Sequence, residues 1–193
     1  MRKIIAAINT TLDGVCDHTA GIPDDEIHQH YTDLLRHADA ILFGRVTYQL
    51  MEFWRTLVEN PSGEKSMDDF AAVIDNIPKI VFSRTLESVD WKSARLADQN
   101  IEKVILELKQ QPGKDILIGS RSLILQLMKL DLIDHYHLCI HPMVAGGGLP
   151  LFEDIDRTVF KLNKTSIFGN GAVMLYYEPT TKSATNGQCH PSC

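Results

Sequence analysis

The chain has 193 residues, of which 44% are hydrophobic and 23% are charged, as is typical of a globular protein with one core. Its formal net charge of −6 argues against nucleic acid or an anionic membrane surface as the main partner, because both require a basic face. A small anionic ligand needs only a local group of cations. The N-terminal apolar run is too short for a secretory signal, and no stretch approaches the roughly 18 apolar residues of a membrane span. We therefore expect a cytoplasmic protein.

The elements predicted from hydrophobic period and turn residues are, in chain order, a strand at 3–8, a helix at 24–37, a strand at 40–43, helices at 46–57 and 67–76, a strand at 79–82, a helix at 98–110, a strand at 115–118, a helix at 121–130, and strands at 134–140, 158–167 and 172–178. The last two strands flank Gly-Asn-Gly, a hairpin signal. Short apolar strands that alternate with helices predict an α/β three-layer sandwich. Its mixed sheet would be mostly parallel, with a C-terminal antiparallel hairpin.

We interpret residues 1–179 as one domain and residues 180–193 as a flexible polar tail. The four cysteines are scattered and accompany no export signal, which argues against a disulfide framework; they are Cys16, Cys139, Cys189 and Cys193. The last two flank His190 in a C-H-x-x-C pattern that could bind a metal ion. The segment before that pattern is polar and aperiodic, so we expect no metal site there.

Three predicted strands are each followed by a small residue or a hydroxyl together with an arginine. The segments are Gly44-Arg45-Val46-Thr47, Ser83-Arg84-Thr85 and Gly119-Ser120-Arg121-Ser122. Ligands of open parallel sheets bind beyond the carboxyl ends of the strands, where free N–H groups, hydroxyls and arginine suit phosphate. Each segment alone is equally compatible with a turn, a helix cap or a solvated charge. Together they predict a ligand with several phosphates, such as a dinucleotide. The fingerprints GxGxxG and GxxxxGK[ST] are absent, which disfavours an ordinary Rossmann domain and a nucleoside triphosphatase.

Several motifs occur in an order that resembles the dihydrofolate reductase fold. They are IAA at 5–7, TLDG at 11–14, FGRVTY at 43–48, VFSRTL at 81–86 and IGSRSL at 118–123. With the stretch LIDHYHLCIHPMVAGGGLPLF at 132–152, the chain is more similar to the branch of the riboflavin-biosynthesis reductase domain. The resemblance covers about residues 2–179. It implies an NADPH-dependent reductase whose cofactor carries the chemistry, and a homodimer is compatible with it.

The resemblance also implies roles for individual residues. Gly44, Arg45 and Thr47 would hold phosphates, and Ser83 and Arg84 would take the adenosine side with its 2′-phosphate. The pyrophosphate would be covered by Gly119, Ser120, Arg121 and Ser122, and the backbone of Ala7 would orient the nicotinamide amide. The chain departs from the family at Ser120, where a second glycine is common, and at Asp131, where a glycine is usual.

The substrate side offers three candidate catalytic residues, Asp13, Asp25 and His28. Folate reductases use a carboxylate on the first helix, and the spacing to Gly44 falls near His28, with Asp25 or Glu26 as alternatives. The helix dipole favours acids at a helix N-terminus, which would equally explain Asp25. An ordinary Asp-Gly turn would equally explain Asp13. The resemblance implies a pterin-like or ribosylaminopyrimidine-like substrate, as in 5-amino-6-(5-phosphoribosylamino)uracil reductase. Two alternatives are an inactive dinucleotide-binding sensor or scaffold and a flavin or other mononucleotide enzyme.

Two further segments carry alternatives. The residues His135, His137, Cys139 and His141 alternate along a strand and share one face. They could hold zinc, but we expect a polar strand face at a sheet edge or subunit contact, with Tyr136, Leu138 and Ile140 in the core. The glycines at 146–148 would be either a flexible connection or a point where the backbone approaches the ligand.

Overall fold

The structure is a computed structural model that describes residues 1–18 and 21–180. Within these residues the strands are β1 (Ile4–Thr11), β2 (Ala38–Gly44), β3 (Lys79–Phe82), β4 (Ala94–Leu96), β5 (Asp115–Ile118), β6 (His135–His141), β7 (Phe160–Ile167) and β8 (Val173–Pro179). The helices are α1 (Asp25–Arg36), α2 (Arg45–Met51), α3 (Phe53–Glu59), α4 (Lys65–Asn76), α5 (Ile101–Gln110) and α6 (Arg121–Lys129). The C-H-x-x-C pattern and the predicted tail beyond Thr180 lie outside the described residues.

One mixed sheet has the strand order β4-β3-β2-β5-β1-β6-β8-β7. Every pair from β4 to β6 is parallel, and β8 runs antiparallel to both β6 and β7. The predicted fold class is therefore confirmed. Among the described helices, none is long and apolar enough to cross a membrane.

Helices cover both faces of the sheet, which explains why the central strands are almost continuously apolar. On one face, Ile4, Leu42 and Ile118 pack against side chains of α5 and α6, such as Ile105 and Leu127. On the other face, residues of the same strands pack against α1, α2 and α4; they include Ile5, Ile41, Phe43, Leu117, Leu35, Tyr48 and Ile74. The outcome is the predicted three-layer arrangement.

The structure differs from the predicted elements in three places. β1 continues to Thr11, because residues 9–11 pair with 139–141 of β6 although they are polar. The predicted helix at 46–57 is divided at Glu52 into α2 and α3. β4 was not predicted, since three residues, one of them Arg95, are too few to show an alternating pattern.

The expected edge position of the histidine-bearing strand is wrong. β6 lies inside the sheet between β1 and β8, and Cys139 and His141 are fully buried. Its polar face packs toward α1, where Cys139 lies in a cluster with Ile27. Tyr136 faces the core on the opposite side, as predicted. Across residues 1–18 and 21–180, no group of three or more His, Cys, Asp or Glu side chains has the geometry of a metal site.

Candidate functional site

The three predicted phosphate-binding segments follow strands that are neighbours in the sheet. β3, β2, β5 and β1 are consecutive and parallel, so their carboxyl ends meet at one edge. Gly44 is in register with Phe82, which places it beside the start of the segment at Ser83. Ala6 is in register with Ile118, so the segment after β5 begins beside Ala7. The sequence of the strand ends therefore predicted a real spatial group.

A cavity of about 780 Å³ opens at this edge. Six of the ten predicted cofactor-binding residues line it: Gly44, Arg45, Thr47, Ser83, Arg84 and Ser122. The other four, Ala7, Gly119, Ser120 and Arg121, do not. The lining also includes Thr85 of the second segment and three polar residues that were not predicted, Gln99, Asn100 and Gln126, with apolar Phe82, Ile101 and Leu123. Gln99 and Asn100 were missed because they follow β4, which was itself missed.

The charge of the cavity is opposite to that of the chain. Among the described residues, its lining carries two arginines, Arg45 and Arg84, and no carboxylate. Arg84 is exposed and makes no ion pair or side-chain hydrogen bond with another described residue. Arg45 donates a hydrogen bond to Gln49 Oε1 at 3.1 Å, one turn along the same helix. A cavity with this lining favours an anionic ligand.

Gly44, the last residue of β2, lies in close contact with the start of α6. A Cβ atom at this position would lie 3.0 Å from Ser122 Oγ and 3.7 Å from Ser120 Oγ. Its backbone is ordinary, with φ −80° and ψ 166°, so a turn conformation does not explain the glycine. The Gly44 N–H donates to Ser120 Oγ at 2.8 Å. The serine that replaces the family's second glycine therefore joins β2 to the start of α6.

Arg121 is directed away from the cavity. Its Nε donates to the carbonyl of Pro150 at 2.5 Å, and its Nη2 pairs with Glu153 at 2.8 Å. These contacts join α6 to the segment that follows β6. The predicted contact of Arg121 with a pyrophosphate would require both bonds to be given up.

Asp13 is a structural anchor in this arrangement. Its Oδ1 accepts hydrogen bonds from Thr11 Oγ1 at 2.5 Å and from the Ala145 N–H at 3.1 Å, and its Oδ2 accepts from the Gly146 N–H at 2.9 Å. These hydrogen bonds lower the pKa of Asp13 to about 2, and the bond from Thr11 has the largest effect. The group is ionised at neutral pH and cannot donate a proton there. It fastens the segment after β1 to the glycine-rich segment after β6.

The glycine-rich segment is docked rather than a free connection. Gly148 has φ +125°, and a Cβ atom there would lie 2.9 Å from Val15 Cγ1. The two segments also share backbone hydrogen bonds, from Cys16 to Leu149 and from Leu151 to Gly14. The interpretation of residues 146–148 as a flexible connection therefore does not describe Gly148, and the approach of this backbone to a ligand stays a prediction.

Replacing Asp13 by alanine is expected to release the glycine-rich segment without unfolding the domain. Amide exchange of Ala145 and Gly146 should accelerate at least about tenfold, because both N–H groups lose a charge-assisted acceptor. In the wild-type chain, the amide proton shifts of these two residues should titrate with a midpoint near pH 2, following the low pKa of Asp13. A midpoint close to the ordinary value of 3.8, measured by NMR, would contradict the anchoring role.

The other two candidate catalytic residues lie on α1 and do not line the cavity. Asp25 is exposed and accepts a hydrogen bond from Ser66 Oγ of α4 at 2.5 Å. His28 is half-buried, with its ring 5.8 Å from that of Trp54 and 6.3 Å from that of Phe70. Burial lowers the pKa of His28, so its imidazole is neutral at pH 7.

The neighbouring acids also have structural partners. Asp24 caps α1 by accepting from the Ile27 N–H, and Glu26 accepts from the Gly169 N–H at the β7–β8 turn. For Asp24, the alternative that the charge stabilises the start of α1 is therefore the better description.

The comparison with known proteins identifies the family of this chain. A family model described as the RibD C-terminal domain matches residues 2–174. The uncharacterized protein YyaP of Bacillus subtilis (strain 168) is 36% identical over 181 residues, which cover 91% of this chain and 94% of that protein.

Two solved structures share the fold. A putative riboflavin biosynthesis protein from Shewanella sp. PV-4 has a TM-score of 0.69 and 21% identity, and the match covers 93% of this chain and 99% of that one. Dihydrofolate reductase from Enterococcus faecalis, complexed with NADP(H) and RAB-propyl, has a TM-score of 0.62 and 13% identity, with 92% and 96% covered. The fold is therefore the dihydrofolate reductase-like fold that the motifs predicted. Because the family match spans nearly the whole described chain, the protein belongs to the RibD C-terminal domain family.

Proposed function

We propose that this protein is an NADPH-dependent reductase that transfers a hydride to a pterin-like or ribosylaminopyrimidine-like heterocycle. The observation that carries the proposal is a cavity whose described lining has two arginines and no carboxylate, at the edge where β3, β2, β5 and β1 end. Membership of a reductase-like family and the NADP(H) complex of the Enterococcus faecalis relative support the same cofactor.

The residues present fit such a cofactor. The cavity volume of about 780 Å³ lies within the usual range of ligand sites. Arg45 and Arg84 would bind phosphate groups, with the hydroxyls of Thr47 and Ser122 as further donors. One lining acceptor, Gln99 Oε1, is buried without a hydrogen-bond partner among the described residues, as expected of a group that meets a ligand.

When bound, NADPH supplies the hydride, and the chain needs only to position the reacting groups. Gly119 is close to β1, since a Cβ atom on it would lie 4.0 Å from the Ala7 carbonyl oxygen. That carbonyl would accept a hydrogen bond from the nicotinamide amide at the centre of the sheet edge. The Asp13 anchor would hold the glycine-rich segment beside the end of β1 and so limit the entry of water.

A specific observation favours a second candidate function, a dinucleotide-binding protein without turnover. The three predicted catalytic residues are poorly prepared to donate a proton at pH 7. Asp13 is ionised, Asp25 is exposed and bound by Ser66, and His28 is neutral. A reductase with this set would take its proton from water.

Binding and turnover measured on the full chain distinguish the two functions. The dissociation constant of NADPH is measured by calorimetry, and NADPH oxidation is followed with a panel of pterins and ribosylaminopyrimidines. Turnover on any of them supports the reductase, and tight binding without turnover supports the second candidate. Absence of NADPH binding would refute both, and a yellow purified protein would support the flavin alternative.

A further inference from the structure

Gln99 has a buried polar atom that has no hydrogen-bond partner among the described residues. Its Oε1 is one of three buried side-chain nitrogen or oxygen atoms without a hydrogen bond in the described residues. The other two belong to His30 and His137 and lie outside the cavity lining, whereas Gln99 is part of that lining. A buried acceptor without a donor is destabilising, so its position in the lining of a cavity points to a donor on a ligand.

The neighbouring polar side chains are already engaged. Asn100 Oδ1 accepts from the Lys103 N–H at 2.9 Å, because Asn100 caps α5. Ser83 Oγ accepts from two backbone N–H groups of its own turn. Gln126 donates to the Ser122 carbonyl at 3.0 Å. Within the described lining, Gln99 Oε1 is therefore the buried side-chain acceptor that is left for a ligand.

The surroundings of Gln99 suit a flat ring. Ile101 follows Gln99 by two residues and packs with Phe82 and Leu123 in one apolar cluster, while the arginines Arg45 and Arg84 follow β2 and β3. A dinucleotide with its phosphates at the arginines would place a nucleobase among the apolar groups. Adenine has one hydrogen-bond donor besides its ribose attachment, the exocyclic amino group.

We infer that Gln99 Oε1 accepts a hydrogen bond from the adenine amino group of the bound dinucleotide and thereby selects adenine over hypoxanthine. This inference rests on the proposed function. Hypoxanthine carries a carbonyl oxygen in place of the amino group, so the Gln99 amide would either face it with a second acceptor or have to turn over and bury Nε2 in place of Oε1. Gln99 thus determines specificity at the adenine end of the cofactor, and this end takes no part in hydride transfer.

The test compares NADP⁺ with its deamino analogue, nicotinamide hypoxanthine dinucleotide phosphate. Calorimetric dissociation constants are measured on the full chain for the wild type, Gln99→Met and Gln99→Glu. The wild type should bind NADP⁺ about tenfold more tightly than the analogue. Gln99→Met should reduce this ratio to within about twofold. Gln99→Glu should preserve the preference for NADP⁺, because a carboxylate can only accept.

The matched control is Gln126→Met, which changes a lining glutamine whose amide is engaged with Ser122. It should alter the affinities for NADP⁺ and the analogue by the same factor. Equal wild-type affinities for the two dinucleotides, or an unchanged ratio in Gln99→Met, would overturn the inference and leave the proposed function standing. If neither dinucleotide binds the folded wild-type chain, the proposed function fails, and the inference fails with it.

Discussion

Replacing Arg84 by alanine is expected to weaken NADPH binding by about ten- to a hundredfold while NADH binding changes less than about twofold. The two cofactors differ only in the 2′-phosphate, so the difference isolates that group. Arg84 is exposed at the cavity and makes no side-chain contact that an alanine would break among the described residues. Loss of one charge-assisted pair costs roughly 1.5–3 kcal/mol, which corresponds to that range.

The matched control is Arg95→Ala, which removes an exposed arginine of β4 that does not line the cavity. It lowers the net charge by the same amount and should leave both dissociation constants within about twofold. The measurement is calorimetric titration at fixed salt, because exposed charge pairs are screened. Equal losses for NADPH and NADH in Arg84→Ala would show that this residue does not recognise the 2′-phosphate.

The sequence predicted the centre of the sheet well, because buried parallel strands are apolar on both faces. KIVF and DILI became β3 and β5 with the expected bounds. The strand-end segments were predicted for a physical reason as well, since parallel strands bring their carboxyl ends together. Sequence reasoning therefore placed Gly44, Ser83 and Ser122 near one another before any contact was known.

The edges of the sheet were harder to predict. β4 has three residues and a single parallel neighbour, so packing and register, rather than its own pattern, define it. Missing β4 also hid Gln99, whose significance depends on a buried atom that no local pattern reveals. The side-chain direction of Arg121 was unpredictable for the same reason, because its partners lie 29 and 32 residues away at Pro150 and Glu153.

The remaining incorrect prediction concerns polar residues on a buried strand, β6. Alternating histidines on β6 suggested an exposed edge, but α1 covers that face in the structure. His141 accepts a hydrogen bond from the Ile22 N–H at 3.1 Å, and this bond offsets the cost of burying the ring nitrogen. Among the described residues, His137 Nδ1 has no such partner.

His137 is enclosed by groups from several elements. Its ring centroid lies 4.7 Å from that of Tyr176 on β8, and Tyr176 also contacts His30 of α1. Lys164 of β7 lies over the same tyrosine ring. Burial, then the nearby His135 and His30, lower the pKa of His137 from 6.5 to about 4. The imidazole is therefore held neutral in the fold.

The direction of the pH effect follows from this shift. Between pH 6.5 and pH 4 the unfolded chain binds a proton at His137 and the folded chain does not, so acidification favours unfolding. The stabilising effect of the neutral ring is fully present above pH 6.5 and is lost as the pH falls toward 4. A difference of about 2.5 pKa units corresponds to roughly 3 kcal/mol over the whole range, and about 2 kcal/mol of it is lost between pH 7 and pH 5.

Replacing His137 by phenylalanine should remove that part of the acid sensitivity, because the ring still packs on Tyr176 but cannot bind a proton. Urea unfolding at pH 7 and pH 5 should show a stability loss smaller than that of the wild type by about 2 kcal/mol. His37→Gln is the control for the removal of one imidazole, since His37 is exposed at the end of α1. Should the phenylalanine variant lose as much stability as the wild type, the acid sensitivity would have to come from the other buried imidazoles, His28, His30 and His141, whose pKa values are also lowered by burial.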